Sequence, residues 1–422
     1  MRESPFVLIV SACASHPGER GNSKRLLNLA VSLQQVGWTP VLLYTDFLDG
    51  DAAQMRNWWG EHYYYQPYRP GSPRWMLRRM ARRLLPEGGT LRAWCRRRLR
   101  GGLGSASPPD NAGVARRIDS YYEPALDAMV ERLHARYSFQ AVIAEYVIMS
   151  RALLRFKDQR VTKLIDTHEL FALGEAWKTA PSPKISFRIT PEDELMAIRR
   201  ADVVIAIQDH DAATLRAAGI RQVATVGHPV TVVETPAFDA ALESKKILFV
   251  SSGHAFDVAG LQWFAREVFP KLSSWLRPEQ VVVAGSIRDM IPNRPPFTFL
   301  GRVPDLASVY HGVRAVIAPL HEGTGLKIKV VEALGFGKAL ITTPFAALGI
   351  EDGMNKAFIS AASSDEFASC VQRVMQDDAK CRWMMAGAMS YAHEWNLRQN
   401  AALKKVLQGT LTRLSPPTET SP

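Results

Sequence analysis

The stretch AVIAPLHEGTGLKIKVVEALGFGKALITTP, residues 315–344, holds the densest chemistry of the chain. A β-branched run ends at Pro319 and a glycine-rich turn follows at Gly323-Thr324-Gly325. A helical pattern then passes through Glu332 to Gly335 and Gly337. Backbone N–H groups at a helix start favour a negative ligand, because unsatisfied donors and the helix dipole both point at it. Lys327 and Lys329 stand in the first turn, where a cation opposes the dipole unless an anion is near. Two lysines at that place imply a diphosphate. Glu332, five and three residues beyond them, is a carboxylate able to accept both hydroxyls of a ribose. The competing reading is a pair of solvated lysines and a surface glutamate.

Other candidate groups follow other apolar runs. After PFVLIVSA comes SHPGERGNSKRLLNLA, where Gly18 and Gly21 permit close backbone approach and Asn22 or Ser23 can cap the next helix. Its free amides suit an anionic or sugar group. It is neither G-x-G-x-x-G nor a P-loop, which counts against a dinucleotide dehydrogenase and a P-loop ATPase. After TKLIDT, within Asp166-Thr167-His168-Glu169, His168 sits at a strand tip, placed to touch a substrate or simply to be a polar loop residue. Glu145, at the end of AVIAE, is a second tip carboxylate. Cys13, Cys95, Cys370 and Cys381 show no paired spacing and read as reduced thiols.

Positioning such groups takes parallel sheets. PFVLIVSA, PVLLYTD, AVIAEYV, TKLIDTH and DVVIAI alternate with helical patterns in the first half; KKILFVS, QVVVAG, FTFLG, AVIAPL and KALITT do so in the second. Near-continuous apolar strands separated by helices mean sheets buried on both faces, and two series mean two doubly wound α/β domains. A chain of 422 residues, 47% hydrophobic and 22% charged, has the material for two cores. Ligands of such sheets bind outside the carboxyl ends of the strands, where the candidates lie. The expected division is a first domain over 1–235 with an insertion at 51–118, a second over 244–391, a helix over 392–414 and a disordered tail over 415–422. The apolar run near the N-terminus is short and reads as a first strand, and the protein is expected in the cytoplasm.

Lys and Arg number 52 against 41 Asp and Glu, a net charge of +11. Residues 74–100 contribute ten Arg and one acid, Glu87, so this window alone carries +9. Arg78, Arg79, Arg82 and Arg83 oppose an apolar stripe, and Arg96 and Arg97 repeat the pattern beside Trp94. A basic amphipathic helix with a boundary tryptophan suits an anionic bilayer surface, where each Arg contributes about 1 kcal/mol. Solvated packing on the domain is the alternative. Nucleic acid is disfavoured, since aromatic interleaving is sparse and no binding module is present.

The second half resembles the nucleotide-sugar-binding domain of glycosyltransferase family 4, retaining enzymes of the GT-B fold, with two Rossmann-like domains facing each other across a cleft. The matching pieces are ILFVSSGHAFDVAGLQWFAREVFPKL, VVVAGS, FTFLGRVPDLASVYHGVRAVIAPL and GTGLKIKVVEALGFGKALITTPFAALGI. The first half resembles the acceptor domain more loosely, through Gly21-Asn22 and IDTHE. The resemblance implies that Glu332, the second Glu of a Glu-x7-Glu motif, holds the donor ribose. It implies that Lys327 and Lys329 meet the diphosphate, that His168 contacts the transferred sugar, and that the helix over 392–414 crosses back to the first domain. Two departures stand out. Thr324 occupies the register of the first Glu, with Glu322 two residues early, and the Arg-x4-Lys pair is missing from SSGHAFDVAG. The diphosphate is therefore expected to use backbone amides at Ser252 and Gly253, with Gly325 in the turn and the base near Arg302. The expected reaction moves a sugar from a UDP- or GDP-linked donor to a glycan or lipid-linked acceptor in bacterial-type surface polysaccharide or glycoconjugate synthesis. No metal or other cofactor is expected, an Asp-x-Asp pair at a strand tip being read as missing. The Arg-rich window would dock the enzyme peripherally on the inner face of the cytoplasmic membrane. A non-catalytic sugar-nucleotide-binding protein and a nucleotide-sugar epimerase are the alternatives.

Overall fold

The computed structural model describes residues 4–18, 20–46, 50–68, 117–174, 189–233, 238–251, 253–291, 293–303 and 305–414. The Arg-rich window, with Arg78, Arg79, Arg82, Arg83, Trp94, Arg96 and Arg97, lies outside them, as do Ser252 and the tail over 415–422.

The strands form two sheets. The first holds β1 (Phe6–Ser11), β2 (Thr39–Thr45), β3 (Tyr63–Gln66), β4 (Ala141–Glu145), β5 (Thr162–Asp166), β6 (Val203–Ala206) and β7 (Val223–Thr225), in the order β3-β2-β1-β4-β5-β6-β7. The second holds β8 (Ile247–Val250), β9 (Val281–Ala284), β10 (Thr298–Gly301), β11 (Ala315–Ala318), β12 (Ala339–Thr342) and β13 (Ile359–Ser360), in the order β10-β9-β8-β11-β12-β13. The pairings of β1 with β2 and β4, and of β8 with β9 and β11, are parallel, so each sheet winds outward from its first strand. This is the doubly wound α/β architecture expected from the apolar runs. Val7, Leu8, Ile9 and Val10 are all buried, because helices cover both faces of a parallel sheet. The apolar-run reading missed β3, β7 and β13. β7 and β13 are only three and two residues long, and β3, Tyr-Tyr-Tyr-Gln, carries no aliphatic residue and falls inside the span assigned to the insertion.

By packing, the chain divides into two compact units. One gathers residues 1–16, 39–166 and 171–204; the other gathers 17–38, 167–170 and 205–422. The second unit therefore takes in the helix Gly21–Gln35 and the tetrapeptide Thr167-His168-Glu169-Leu170 as well as the second sheet. Its last helix runs from Asp378 to Leu414, starting well ahead of Ala392. The side chains of this helix clamp the segment after β7. Trp395 Nε1 donates to the His228 carbonyl at 2.8 Å, Asn396 exchanges two hydrogen bonds with Val230, and Gln399 Oε1 accepts from Gly227 N–H at 2.6 Å. Gly227 must be glycine here, since a Cβ would stand 2.3 Å from the Trp395 ring. Just before β11, the fully buried Arg314 donates to the Val374 and Leu242 carbonyls and to Asp378, so its charge enters the core fully satisfied.

Candidate active site

The second unit assembles its polar groups around the start of the helix Ile328–Gly335, which follows β11 and the glycine-rich turn. The turn needs its glycines: Gly323 has φ 144° and Gly325 φ 55°. A Cβ on Gly325 would lie 2.7 Å from the His168 carbonyl oxygen, so the turn can rest against the His168 backbone only because that atom is missing. No side chain caps the helix start, where the Ile328 and Val330 N–H groups turn back to the Leu326 and Lys327 carbonyls at 3.0 and 2.8 Å.

Two of the site's three lysines, Lys24 and Lys329, pair with a carboxylate, and Lys327 meets a carbonyl and a ring instead. Lys327 is buried; its Nζ donates to the Gly325 carbonyl at 2.8 Å and lies 4.2 Å from the centre of the Phe345 ring. Burial lowers its pKa to about 8, against the opposing pull of Asp211. Lys329 pairs with Asp257, which also accepts from Ser251 Oγ at 2.7 Å; that oxygen in turn accepts from Gly253 N–H at 3.0 Å. One network thus joins Lys329 to Gly253, two of the expected donor-binding positions. Asp257 and Ser251, which the sequence reading passed over, are the links. Glu332 pairs with Lys24 of the helix Gly21–Gln35, and burial together with the Glu332 charge raises the Tyr310 hydroxyl pKa well above its ordinary value. Lys24 was also missed, because it lies 308 residues away in the chain and only folding brings it there.

The remaining expectations fall on either side. Gly21 lies at this centre, since a Cβ on it would meet Ile328 Cδ1 at 3.4 Å. The neighbouring Asn22 turns its Oδ1 to Ser23 N–H at 2.9 Å. His168 is buried at φ 54°, a left-handed backbone rare for a residue with a side chain and one that clusters at functional sites. Thr324 Oγ1 donates to Glu169 at 2.5 Å. Arg302 is exposed after β10, and β9 and β8 stand between β10 and β11 in the sheet. Glu145 and Asp166 face one another in the β4–β5 register of the first unit, both fully buried.

Sequence reading also left out His228, buried beside Asn28 Nδ2 at 3.3 Å. Burial and the charges of Arg25 and Lys24 push its pKa well down and keep the imidazole neutral. The expectation of no Asp-x-Asp at a strand tip passed over Asp209-His210-Asp211, which opens the helix Asp209–Ala217, with Ile207 and Gln208 between it and β6. The two aspartates do not act together. Asp211 is buried, accepts from Gln208 Nε2 at 3.0 Å and faces the Lys327 charge, while Asp209 is exposed. The helix that begins at Asp209 turns the first carboxylate away from the second.

Residues 244–377, about a third of the chain, match the family model described as glycosyl transferases group 1. No curated protein matches the chain in sequence. Sucrose-phosphate synthase from Thermosynechococcus elongatus is similar in structure, with a TM-score of 0.63 at 16% identity, covering 97% of this chain and 100% of that one. Anabaena Alr3699/HepE in complex with UDP and glucose gives 0.60 at 15% identity, over 96% of this chain and 100% of that one. A mutant of S. aureus TarM, in complex with fondaparinux, alpha-GlcNAc-glycerol and UDP, gives 0.62 at 8% identity, over 96% and 99%. At these identities the likeness concerns the fold, which is GT-B.

Proposed function

We propose that this chain of GT-B fold, whose residues 244–377 match the model described as glycosyl transferases group 1, is a glycosyltransferase whose helix start at Ile328 holds the diphosphate of a UDP- or GDP-linked sugar. The reaction is transfer of that sugar, with retained configuration in the manner of family 4, to a glycan or lipid-linked acceptor of a surface polysaccharide or glycoconjugate. The observation that carries the reading is the buried Lys327 ammonium beside an uncapped helix start. A buried cation whose contacts are a carbonyl and a ring rather than a carboxylate is a poor structural element and a good anion site.

The chemistry follows from charge. Leaving of the diphosphate builds negative charge, and Lys327, Lys329 and the helix amides stabilise it more in the transition state than in the bound donor. An ammonium has three N–H donors, so Lys329 can keep Asp257 and still donate to phosphate. Glu332, steadied by Lys24, accepts the ribose hydroxyls. Gly21 and Asn22 line the same centre, Ser252 and Gly253 are assigned to the phosphates, and Arg302 is assigned to the base. His168 orients the sugar and meets the positive charge that develops at its reacting carbon. The lysines do the work a divalent ion would do, so the proposal includes activity that persists in EDTA. The Arg-rich window docks the enzyme on an anionic membrane surface, a reading supported by sequence alone.

Release of UDP or GDP from a panel of nucleotide sugars, with and without added acceptor glycans and glycolipids, tests the reaction. Acceptor-stimulated release is expected. Donor isomerisation without acceptor would point to an epimerase instead, and binding without turnover to a non-catalytic protein. Lys327→Ala is expected to weaken nucleotide binding at least about tenfold, the cost of one charge-assisted hydrogen bond, and unchanged affinity would reject the assignment.

A further inference from the structure

The glycine-rich turn has no carboxylate at Thr324, yet the fold brings one to it. Thr324 Oγ1 donates to Glu169 Oε2 at 2.5 Å, and Glu169 directly follows His168 in the chain. A tight turn, with Glu169 N–H bonded to the Thr167 carbonyl at 2.5 Å and His168 at φ 54°, aims this side chain. The bare Gly325 then seats the turn against the His168 carbonyl. One side-chain contact and one backbone contact thus hold the carboxylate in place. The next residue along, Gly325, uses its carbonyl to hold Lys327 Nζ at 2.8 Å. Neighbouring residues of a single turn therefore secure an ammonium suited to phosphate and a half-buried carboxylate suited to hydroxyls.

Burial raises the Glu169 pKa, opposed by the Thr324 hydroxyl and by the charges of His168 and His254. A carboxylate in such a position accepts strongly from a ligand O–H, and an unmatched ligand leaves it desolvated and unpaired. We infer that Glu169 is the group that reads the hydroxyls of the transferred sugar. Thr324, whose hydroxyl donates to it, serves as its positioning residue. The inference rests on the nucleotide-sugar reading above and adds to it a specificity residue in the Thr167–Leu170 segment.

The test measures dissociation constants for UDP, GDP, UDP-glucose, UDP-galactose, UDP-N-acetylglucosamine and GDP-mannose, with unaltered protein and with Glu169→Gln. The variant is expected to keep bare-nucleotide affinity within about twofold while losing about tenfold or more for the preferred sugar nucleotide. The ranking of sugars should flatten as well. The Thr324→Glu change made on top of Glu169→Gln should restore part of that preference, by returning a carboxylate to the same spot. Thr324→Val alone should give a smaller loss of the same kind, which covers the case of a poorly folding Glu169 variant. Equal losses for nucleotide and sugar nucleotide would make Glu169 a purely structural anchor and overturn the inference, as would an unchanged ranking of sugars. If the unaltered protein binds neither UDP nor GDP, the nucleotide-sugar reading itself fails and this inference fails with it.

Discussion

On the proposed reading, Lys327 is where pH reaches the function. Its pKa of about 8 lies well below that of a free lysine because burial opposes the charge; Asp211 and Glu351 pull it up and Lys329 pushes it down. Folding therefore favours the neutral form. Between pH about 8 and the ordinary lysine range the unfolded chain binds more protons, so this group's cost to stability fades as pH rises through that window. Binding has the opposite slope. A diphosphate prefers the ammonium, so UDP or GDP affinity should be level below pH about 7 and fall as pH rises past about 8, by up to tenfold per unit. Titration calorimetry across pH 6.5 to 9.5 checks this, with net proton uptake on binding expected near pH 8. Lys327→Ala should flatten the profile, and a profile that keeps its slope in the variant would assign the titration elsewhere.

At the scale of elements, the glycine-rich turn and the Thr167–Leu170 segment work as one piece. The turn is legible in the sequence as a glycine cluster before an apolar helix, and so are the two lysines and Glu332 that follow it. Its partner segment is not, because nothing local in IDTHE indicates that the His168 carbonyl must receive a bare glycine. Gly325→Ala places a Cβ 2.7 Å from that oxygen on a backbone at φ 55°. The left-handed conformation alone costs a residue with a side chain about 1 kcal/mol, and the clash adds to it. A loss of about 1–3 kcal/mol in urea denaturation is expected, together with weaker sugar-nucleotide binding as Glu169 shifts. Gly219 serves as the control: it has φ 85° but open space around its Cβ position, so alanine there should cost stability and leave binding intact. Equal stability of the Gly325 variant and the unaltered protein would contradict the contact.

For the molecule as a whole, charge is concentrated in one place. Residues 74–100 carry +9 of a net +11, so the rest of the chain is close to neutral. Among the described residues no helix is long and apolar enough to cross a membrane, and attachment by the Arg-rich window would be electrostatic and reversible. Ten arginines at about 1 kcal/mol each near an anionic surface exceed what peripheral binding needs, so even partial engagement suffices. Flotation with vesicles rich in phosphatidylglycerol should carry the full chain at low salt and release it as salt screens the surface. A chain lacking residues 74–100 should stay at the bottom of the gradient. Flotation unaltered by that deletion would reject docking through this window.

What the sequence determined by itself was whatever repeats over a few residues: strands as continuous apolar runs, helices as periodic stripes, and the cluster of glycines and lysines at a helix start that we propose as the diphosphate site. Each of these depends on neighbours in the chain, and so does the overlooked Asp209-His210-Asp211 pair, whose split only the fold reveals. The tertiary structure decided which charges meet. Lys24 reaches Glu332, Asp257 reaches Lys329 and Glu169 reaches Thr324, across 308, 72 and 155 positions. Carboxylates and ammonium groups are common along any chain, and their worth depends on distance and burial, two quantities that exist only once the chain has folded.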